Sequence, residues 1–575
     1  MKVLTVVLLV TGSLTAQIGQ PTSNRRVEDL QIRSGKMEGK VVNSANGLAV
    51  PNVTLTLRTV SGARPSKYVV TSDVAGVFLF DLVEPGRYEL SAEKVGFLRG
   101  YYGKERAKDS HTPLELSEGQ FIRRLLFKLT PQGVISGRVT DKSGEPMQGV
   151  SITVMRPGYS QGKRALLAVR GTVSTDLGEY RLANLDAGGY YVVARPVGSR
   201  SSIEQMQIAY ADVPLALAAQ NPEKDYVDTY YPSSLDSEGS SVIQVQAGSE
   251  TSGVDITLEK THVFQIRGQV VDASGQPVAE ARIALTTSKT GGVVHMSTLG
   301  GSPVVGGRFE LTGVIPGIYD LVAEVSRNGQ VLYARQRVSV DDRNVTDAVI
   351  RIPESVDVNG RLRITGLEAQ NPPSDLFRIE GIRIGLFPAE GFGLGQIPKA
   401  ITHANGSFVL RKVVPDKFRI HVSGTPSGCY LKSILMSGRQ CTDGVVDLTY
   451  GGSVEIVLAV GAAEVMGSVV DANDRPTSAA TVSLVPSDGS RESRPDLIRT
   501  AIANERGQFS LKDVVPGAYD IFAWQGVDPE AINSPEFRRL FKSKSTTLAV
   551  NDGERETVQL KAISAEDVKT TGIFP

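Results

Sequence analysis

The chain has 575 residues, which is too long for one hydrophobic core and predicts about four or five domains. Its 62 basic and 62 acidic residues cancel, so the charge balance does not favour nucleic acid or anionic lipid as a partner. Glycine contributes 59 of the 575 residues, a larger share than the usual one of about 7 %. This excess suits many tight turns between short strands.

The first 16 residues have the pattern of a signal peptide. Lys2 gives the positive start, residues 3–10 form a short apolar core, and the segment ends in the small residue Ala16. We therefore expect an exported protein that is periplasmic, on the cell surface or secreted; a buried N-terminal strand is the alternative. No later stretch approaches the ~18 apolar residues of a transmembrane helix, so we expect no membrane span in the mature chain.

Residues 17–36 are polar and lack alternation, which predicts a linker. The chain beyond it is dominated by an internal repeat. In each copy a glycine precedes an aromatic residue, a Pro-Gly type of turn follows, and a second aromatic residue comes ten positions after the first. The alternation on both sides of the turn predicts two strands in every copy. The five aromatic pairs are Phe78 and Tyr88, Tyr180 and Tyr190, Phe309 and Tyr319, Phe408 and Phe418, and Phe509 and Tyr519.

Two further motifs complete each unit. A strand with the pattern Gly-x-Val, usually followed by an Asp, Gly and Pro turn, opens the units at Gly39, Gly137, Gly268 and Gly467, and the irregular fourth unit opens at Gly360. A second alternating strand closes most of them, so each unit holds about seven strands, which argues for a two-sheet sandwich. We predict an all-β chain of about five consecutive sandwiches. The predicted domains are 37–130, 131–260 with an insertion at 201–235, 261–353, the irregular 354–460 with both cysteines, and 461–563, followed by a tail at 564–575.

These motifs together resemble the carboxypeptidase regulatory-like domain. The matching patterns are Gly-x-Val-x-Asp-x-x-Gly-x-Pro, Gly-x-Phe-x-Leu and Pro-Gly-x-Tyr-x-Leu, and they are strongest in the first, second, third and fifth units. The resemblance implies a transthyretin-like (prealbumin-like) β-sandwich, grouped with carbohydrate-binding-like folds and close to the B-type repeats of bacterial adhesins. In that family the domain is an accessory module, so the resemblance implies a fold and no peptidase activity.

The sequence offers no catalytic constellation. HExxH, GxSxG and P-loop motifs are absent, and the histidines are scattered over different units. The repeated carboxylates Asp141, Asp272 and Asp471 fit turn-capping side chains better than acid or base groups. We predict no enzymatic activity, no catalytic residue, no cofactor and no metal site. The five histidines are His111, His262, His295, His403 and His421.

The resemblance to adhesin repeats raises the question of intramolecular Lys–Asn bonds. Those repeats carry a glutamate shortly after the second aromatic residue of the motif, and here every matching position is apolar. We therefore predict that no such crosslink forms. The five positions are Ala92, Ala194, Ala323, Val422 and Ala523.

Cys429 and Cys441 are the only cysteines in the chain. An exported protein meets oxidising conditions, so we predict a disulfide between them, worth roughly 3 kcal/mol by chain entropy. Two buried thiols or a metal site are the alternatives, and a metal site is disfavoured because a closed zinc site wants four ligands.

A set of aromatic residues outside the repeat motif provides the candidate binding residues. Aromatic rings stack on sugar faces and anchor protein interfaces, but they also pack under loops or between domains. The second aromatic residues of the repeat, by contrast, are predicted to lie in the core. The candidates are Tyr101, Tyr102, Tyr226, Tyr230, Tyr231 and Trp524.

The sequence therefore predicts a non-catalytic, exported multi-domain protein of the cell envelope or surface that binds a polysaccharide or a surface protein. Two alternatives remain. The chain could be a purely structural stalk or scaffold, or an accessory component of an outer-membrane transport or peptidase system.

The signal peptide makes a direct prediction for the mature N-terminus. When the full chain is produced in an exporting bacterial host, we expect cleavage after Ala16, so that the mature protein begins at Gln17. N-terminal sequencing and the intact mass of the exported protein check this, and a product that retains Met1 would contradict it.

Overall fold

The structure is a computed structural model that describes residues 34–571, except 62–65, 104–112, 161, 197–222, 288–298, 305, 328–329, 367–376, 390–397, 442–443, 490, 493 and 495. The predicted signal peptide, almost all of the predicted linker and most of the insertion at 201–235 lie outside the described residues. The described part is built of strands with a few short helices, which confirms the predicted all-β tandem array of sandwiches.

The described residues up to Pro131 belong to one compact unit, and their strands build sandwich 1. These strands are β1 Gly35–Asn43, β2 Thr54–Ser61, β3 Lys67–Thr71, β4 Val77–Val83, β5 Gly86–Glu93, β6 Gly100–Tyr101, β7 Leu114–Leu116 and β8 Phe121–Leu129. One sheet has the order β4-β1-β8, and the other has the order β3-β2-β5-β6 with β7 also on β5.

Residues 132–575 form the second compact unit, which begins with sandwich 2. Its strands are β9 Gly133–Asp141, β10 Ser151–Ser160, β11 Lys163–Val173, β12 Glu179–Leu185, β13 Gly188–Arg195, β14 Lys224–Tyr226, β15 Thr229–Tyr230, β16 Ile243–Val245, β17 Glu250–Thr251 and β18 Ile256–Leu258. One sheet joins β12, β9, β17 and β18, and the other has the order β11-β10-β13-β15 with β16 on β13.

Sandwich 3 follows a short pair between β14 and the connecting strand β19. Its strands are β19 Lys260–His262, β20 Phe264–Val271, β21 Arg282–Thr287, β22 Leu299–Pro303, β23 Arg308–Val314, β24 Gly317–Arg327, β25 Gln330–Val340 and β26 Val345–Arg351. The sheets have the orders β23-β20-β26 and β22-β21-β24-β25.

Sandwich 4 has five strands in its first sheet, because an extra hairpin joins it. Its strands are β27 Val356–Thr365, β28 Arg383–Pro388, β29 Lys399–Ile401, β30 Ser407–Val413, β31 Lys417–Ser423, β32 Cys429–Met436, β33 Arg439–Gln440, β34 Val445–Asp447 and β35 Ser453–Val460. The sheets have the orders β30-β27-β35-β32-β33 and β29-β28-β31-β34.

Sandwich 5 carries the described α-helices. Its elements are β36 Ala463–Val470, β37 Thr481–Pro486, β38 Arg499–Ile502, β39 Gln508–Val514, β40 Gly517–Gln525, α1 Pro529–Ile532, α2 Pro535–Leu540, β41 Thr546–Val550, β42 Arg555–Ser564 and α3 Ala565–Thr570. The long strand β42 runs parallel to β36 and then to β40, so it belongs to both sheets.

One plan recurs in all five sandwiches. The opening strand lies in the middle of a sheet, antiparallel to the first strand of the repeat motif and parallel to a late strand of the unit, as β1 lies between β4 and β8. Each sandwich encloses its own cluster of buried aliphatic and aromatic side chains between its two sheets. The exact limits of the five domains stay a prediction.

The opening glycine and the first aromatic residue of the repeat are cross-strand partners. Gly268 lies opposite Phe309, and a methyl group added to Gly268 would lie 2.6 Å from that ring and 2.1 Å from the carbonyl oxygen of Ala348. Only glycine lets the ring cover the backbone while the parallel strand stays paired on the other side. The five pairs are Gly39 and Phe78, Gly137 and Tyr180, Gly268 and Phe309, Gly360 and Phe408, and Gly467 and Phe509.

The repeated carboxylates cap turns, as the sequence predicted. The Oδ1 atom of Asp141 accepts hydrogen bonds from the backbone N–H groups of Ser143 and Glu145, at 2.8 and 3.0 Å. Asp272 and Asp471 accept the equivalent pairs of bonds in their own turns. All three carboxyl groups have a pKa below the usual value. The main cause is the hydrogen bond from the hydroxyl group of Ser143 for Asp141 and of Ser274 for Asp272, and the backbone bond from Arg475 for Asp471. Each aspartate thus holds the turn between two strands in shape.

The glycine contact predicts that alanine substitution destabilises sandwich 2 much more at one glycine than at another. In Gly137→Ala the new methyl group would lie 2.0 Å from the carbonyl oxygen of Val254, whereas in Gly171→Ala it would lie 3.6 Å from that of Ile152. We expect the first variant to lose about 1–3 kcal/mol of stability and the second to lose little. Thermal unfolding and hydrogen exchange of β9 measure this, and equal behaviour of the two variants would contradict the argument.

Candidate functional site

The strand β40 contains a continuous apolar run from Ile521 to Trp524. Ile521 and Ala523 point into the core of sandwich 5, while Phe522 and Trp524 point outwards and are nevertheless buried. The two outward rings stack at 5.2 Å between centroids, and the indole N–H of Trp524 donates to Ser483 Oγ at 2.8 Å. Something must therefore cover this outer face of the sheet.

The cover is the helical segment between β40 and β41. Asp528 and Ser534 cap α1 and α2, and a proline occupies the first position of each helix. Phe537 and Phe541 are four residues apart, so they meet on one side of the segment and pack against Trp524, at 5.6 and 5.5 Å between centroids. The helices thus bury an aromatic layer on the outside of the sandwich.

A residue of sandwich 2 completes this layer. Tyr159, near the end of β10, is buried and lies edge-on to Phe537 with the ring centroids 5.6 Å apart. The backbone also approaches closely there, since a methyl group on Gly162 would lie 3.2 Å from the carbonyl oxygen of Asn533. We call the buried group the interdomain cluster. It consists of Tyr159, Phe522, Trp524, Ala531, Ile532, Phe537, Phe541, Ile563 and Val568.

Polar groups hold the helical segment in place around the cluster. Arg538 is almost completely buried and donates to the carbonyl oxygens of Ile532 and Glu492, at 2.8 and 2.9 Å. Burial lowers the pKa of its guanidinium to about 10. On the opposite side, Lys542 forms an ion pair with Asp520, which is itself on β40. The segment is therefore fixed to the sheet at two points besides the apolar contact.

Two of the predicted ligand-contact residues are wrong, because their side chains are inside the protein. Trp524 is 1 % exposed and belongs to the interdomain cluster. Tyr230 is 5 % exposed and packs with Leu166 and Val193 on the outer side of sandwich 2. The loop that carries Tyr230 is fastened by a bidentate pair between Arg195 and Asp228, with nitrogen–oxygen distances of 2.8 to 3.1 Å.

The other four candidates are partly exposed. Tyr102 lies 6.3 Å from the ring of Phe127 in sandwich 1, and Tyr101 lies beside it with Arg99 over its ring. Tyr226 and Tyr231 pack against the core of sandwich 2. The structure thus places two pairs on two different sandwiches, each with its ring partly covered by its own domain. Their role as ligand contacts stays a prediction.

The structure contradicts the predicted disulfide. In the hairpin of β32 and β33, Leu435 pairs with Gln440, and the backbone N–H of Cys441 donates to the carbonyl oxygen of Ile434. Cys429 lies five residues before Ile434 along the same strand, about 16 Å away, whereas a disulfide needs Cα atoms within about 7 Å. The two sulfurs are not bonded to each other. Cys429 is a buried thiol whose pKa is raised to about 11, mainly by desolvation.

Smaller polar contacts join the remaining sandwiches of the second unit. Between sandwiches 3 and 4, the hydroxyl group of Tyr333 donates to Asp416 at 3.0 Å. Asp416 occupies the position where other copies of the repeat have the turn glycine. Between sandwiches 4 and 5, the hydroxyl group of Tyr430 donates to Asp552 at 3.1 Å. Burial, with a smaller contribution from this contact, raises the pKa of Tyr430 to about 12. Departures from the repeat thus coincide with contacts between sandwiches.

A cleft of about 720 Å³ opens on sandwich 2 beside β9, β11 and β12. The charged side chains that line it have partners: Arg138 contacts Glu179 at 3.0 Å, Arg181 contacts Glu250 outside the lining at 3.2 Å, and Asp255 accepts a hydrogen bond from the backbone N–H of Arg138 at 2.8 Å. The Tyr180 hydroxyl group lies at its floor and donates to the carbonyl oxygen of Val254. The charged groups of the cleft are thus already engaged in contacts within sandwich 2.

The second aromatic residues of the repeat are core residues, as predicted. Four of them are tyrosines whose hydroxyl groups donate to a backbone carbonyl oxygen four residues earlier, as Tyr319 does to Ile315 at 2.7 Å. Phe418 in sandwich 4 has no hydroxyl group and is buried without this bond. The other three bonds join Tyr88 to Glu84, Tyr190 to Asp186, and Tyr519 to Val515.

The described residues contain no group of three or more histidine, cysteine, aspartate or glutamate side chains that could hold a metal ion. His111 and His295 lie outside the described residues. None of the described helices is long and apolar enough to cross a membrane.

Family comparison matches the carboxypeptidase regulatory-like domain at residues 36–126, 134–259 and 265–353, which is more than half of the chain. The chain belongs to this family. The matched ranges coincide with the strands of sandwiches 1, 2 and 3. A search among curated proteins finds no match.

Comparison with solved structures finds, among others, three bacterial proteins. The Bacillus anthracis TIE protein is 11 % identical, with 74 % of this chain and 73 % of that chain covered and a TM-score of 0.15. A streptococcal ancillary pilin is 11 % identical, with 56 % and 99 % covered and a TM-score of 0.18. A DUF3823 family protein from Bacteroides uniformis is 15 % identical, with 28 % and 90 % covered and a TM-score of 0.14.

The buried tyrosines predict a loss of stability at high pH. Burial raises the pKa of Tyr319 to about 12, above its usual value near 10. Because the folded-state pKa is raised, this contribution to stability is complete below about pH 10 and is lost as the pH rises towards 12. We expect Tyr319→Phe to unfold more easily at pH 8, by about 1 kcal/mol, but to lose less stability between pH 10 and 12.

Urea unfolding at both pH values measures this effect. Tyr450→Phe is the control, since Tyr450 is 96 % exposed. A Tyr319→Phe variant with the same pH dependence as the unmodified protein would contradict the assignment.

Proposed function

We propose that this protein is a non-catalytic scaffold of the cell envelope or surface, exported by its signal peptide, in which the second compact unit is a rigid support. The observation that carries this proposal is the interdomain cluster. It joins sandwich 2 to sandwich 5 through buried aromatic rings, although Phe537 comes 378 positions after Tyr159 in sequence.

The contacts of the second unit support a rigid role. Sandwich 2 is linked to sandwich 3 by the β14–β19 pair, and hydrogen-bonded tyrosines link sandwich 3 to 4 and 4 to 5. The interdomain cluster then links sandwich 5 back to sandwich 2. Hinge motion at any one junction is opposed by the other three, so the unit holds its sandwiches in fixed positions. A series of independent domains, as the sequence suggested, would lack the last contact.

Membership in the carboxypeptidase regulatory-like family supports the non-catalytic part of the proposal. The residues of the repeat motif cap turns, pack in the core, or are the glycines that lie opposite an aromatic ring on the neighbouring strand. Each of them therefore has a structural role. We propose no cofactor and no metal for this function.

A binding role is the second candidate, with a polysaccharide or a surface protein as the partner. It is favoured by the partly exposed rings of Tyr101, Tyr102, Tyr226 and Tyr231, which a ligand can reach without unfolding the domain. No structural observation among the described residues favours the third alternative, an accessory component of an outer-membrane transport or peptidase system.

The scaffold predicts energetic coupling between two distant residues. Tyr159→Ala and Phe537→Ala each remove one ring of the edge-on pair, and the double variant removes both. We expect the two changes to be non-additive in the free energy of unfolding, with a coupling of about 0.5–1.5 kcal/mol. Hydrogen exchange should also rise in both β10 and α2 for each single variant, because loss of either ring exposes the shared layer.

The exposed Tyr450→Ala, paired with Phe537→Ala, is the matched control for which we expect additivity. Additive effects of Tyr159→Ala and Phe537→Ala, with exchange changed only in the mutated sandwich, would refute the rigid scaffold.

A further inference from the structure

The outer face of the second sheet differs between the sandwiches. In sandwich 5 this face is buried by the helical segment, and in sandwich 2 it is partly covered by Tyr230 and Leu166. In sandwich 4 it is open: Phe387 is 43 % exposed and Ile401 is 59 % exposed. The alternation of the strands decides which side chains lie there, since Ile384 and Leu386 of β28 point into the core.

The open face of sandwich 4 is basic. Its cationic side chains come from three adjacent strands: Arg383 on β28, Lys399 on β29, and Lys417 and Arg419 on β31. Asp447 on β34 is the one carboxylate on the strands of this face. Among the described residues, no ion pair involves Arg383 or Lys399. The local excess of positive charge contrasts with the zero net charge of the chain.

The same face has a shallow trough with an aromatic wall. Gly385 pairs with Lys399 on one side and with His421 on the other, so the middle strand has no side chain between them. Phe387 lies two residues along β28 and meets the His421 ring edge-on, with the centroids 5.8 Å apart. The trough therefore combines a bare backbone, an accessible ring and flanking cations.

Sandwich 1 provides an internal comparison. The equivalent strands there carry three cations and three carboxylates on the outer face, and Arg87 is paired with Glu115. The charges of that face cancel, so its overall affinity for an anion is low. The basic trough belongs to sandwich 4 and is no general feature of the repeat. The charged residues on the sandwich 1 face are Arg58, Lys67, Arg87, Glu89, Glu93 and Glu115.

We propose that the open sheet face of sandwich 4, formed by Arg383, Gly385, Phe387, Lys399, Arg419 and His421, binds an anionic, carboxylated polysaccharide. The cations face the carboxylates, and the ring of Phe387 stacks against a sugar ring above the bare strand at Gly385. Proteins that bind single-stranded nucleic acid use several rings for successive bases, whereas this face has a single phenyl ring beside the histidine. This proposal rests on the binding candidate and is independent of the scaffold contact.

Titration of the mature chain with polygalacturonate by calorimetry tests the site, with neutral dextran as the comparison ligand. We expect binding of polygalacturonate only. Its affinity should fall at least about tenfold between about 20 and about 200 mM salt, because salt screens exposed charges. The double variant Arg383→Gln/Lys399→Gln is expected to bind at least about tenfold more weakly, and Phe387→Ala about fivefold more weakly.

Matched variants on sandwich 1 control for general charge and ring removal. Arg58→Gln/Lys67→Gln removes the same charge, and Phe121→Ala removes a ring of similar exposure. We expect both to bind as the unmodified protein does. Unchanged melting temperatures of all variants show that folding is intact.

Each other result overturns part of the proposal. Unchanged binding by the sandwich 4 variants places the ligand elsewhere and leaves the binding candidate standing. Absence of any binding refutes both the sandwich 4 site and the binding candidate. The scaffold proposal is still tested separately by the coupling of Tyr159 and Phe537. Equal binding of dextran refutes the role of charge. Tighter, variant-sensitive binding of single-stranded DNA would make the face a nucleic-acid site.

Discussion

The cross-strand pair of a glycine and an aromatic ring is the contact on which every sandwich depends. The opening strand has to accept a parallel neighbour on one side and the ring on the other. A methyl group at the glycine would collide with both at Gly39, Gly268 and Gly467, with the parallel strand at Gly137 and with the ring at Gly360. The pair fixes the register of the first sheet, because a shift by one residue would turn the ring to the wrong face. With the first sheet fixed, the turn and the second aromatic residue, ten positions later, bring the second sheet over the core.

Because the fold constrains only these residues of each repeat, the outer faces of the sheets are free to vary. The repeat constrains inward residues, turn aspartates and the opening glycine, but the outward residues of β28 and β40 obey no common rule. In sandwich 5 outward rings and a helical segment turn the face into an interface. In sandwich 4 cations and a glycine leave it open and basic. One fold therefore yields a structural contact and a candidate binding face from the same strand positions.

The regular part of the chain could be predicted from the sequence because its signals are local. Alternation, turn residues and the constant spacing of two aromatic residues identify strands, hairpins and core positions without knowledge of distant contacts. The disulfide prediction failed because compartment and spacing say nothing about register, which places Cys441 opposite Ile434. Trp524 was predicted to contact a ligand because a solitary tryptophan is typical of such a residue. The unbroken apolar run from Ile521 to Trp524 instead indicates a strand that is buried on both faces.

Tyr159 shows what the sequence could not supply. It lies on a strand that also follows the common pattern, and its partner Phe537 comes 378 positions later, so no local signal connects them. The local signal is in sandwich 5, where Phe537 and Phe541 are four residues apart in a helical segment that the described parts of the other repeats lack. Departures from the repeat, such as this helical segment and Asp416 in place of a turn glycine, mark contacts between sandwiches. In a tandem protein, the residues that break the repeat are therefore the ones to examine first for function.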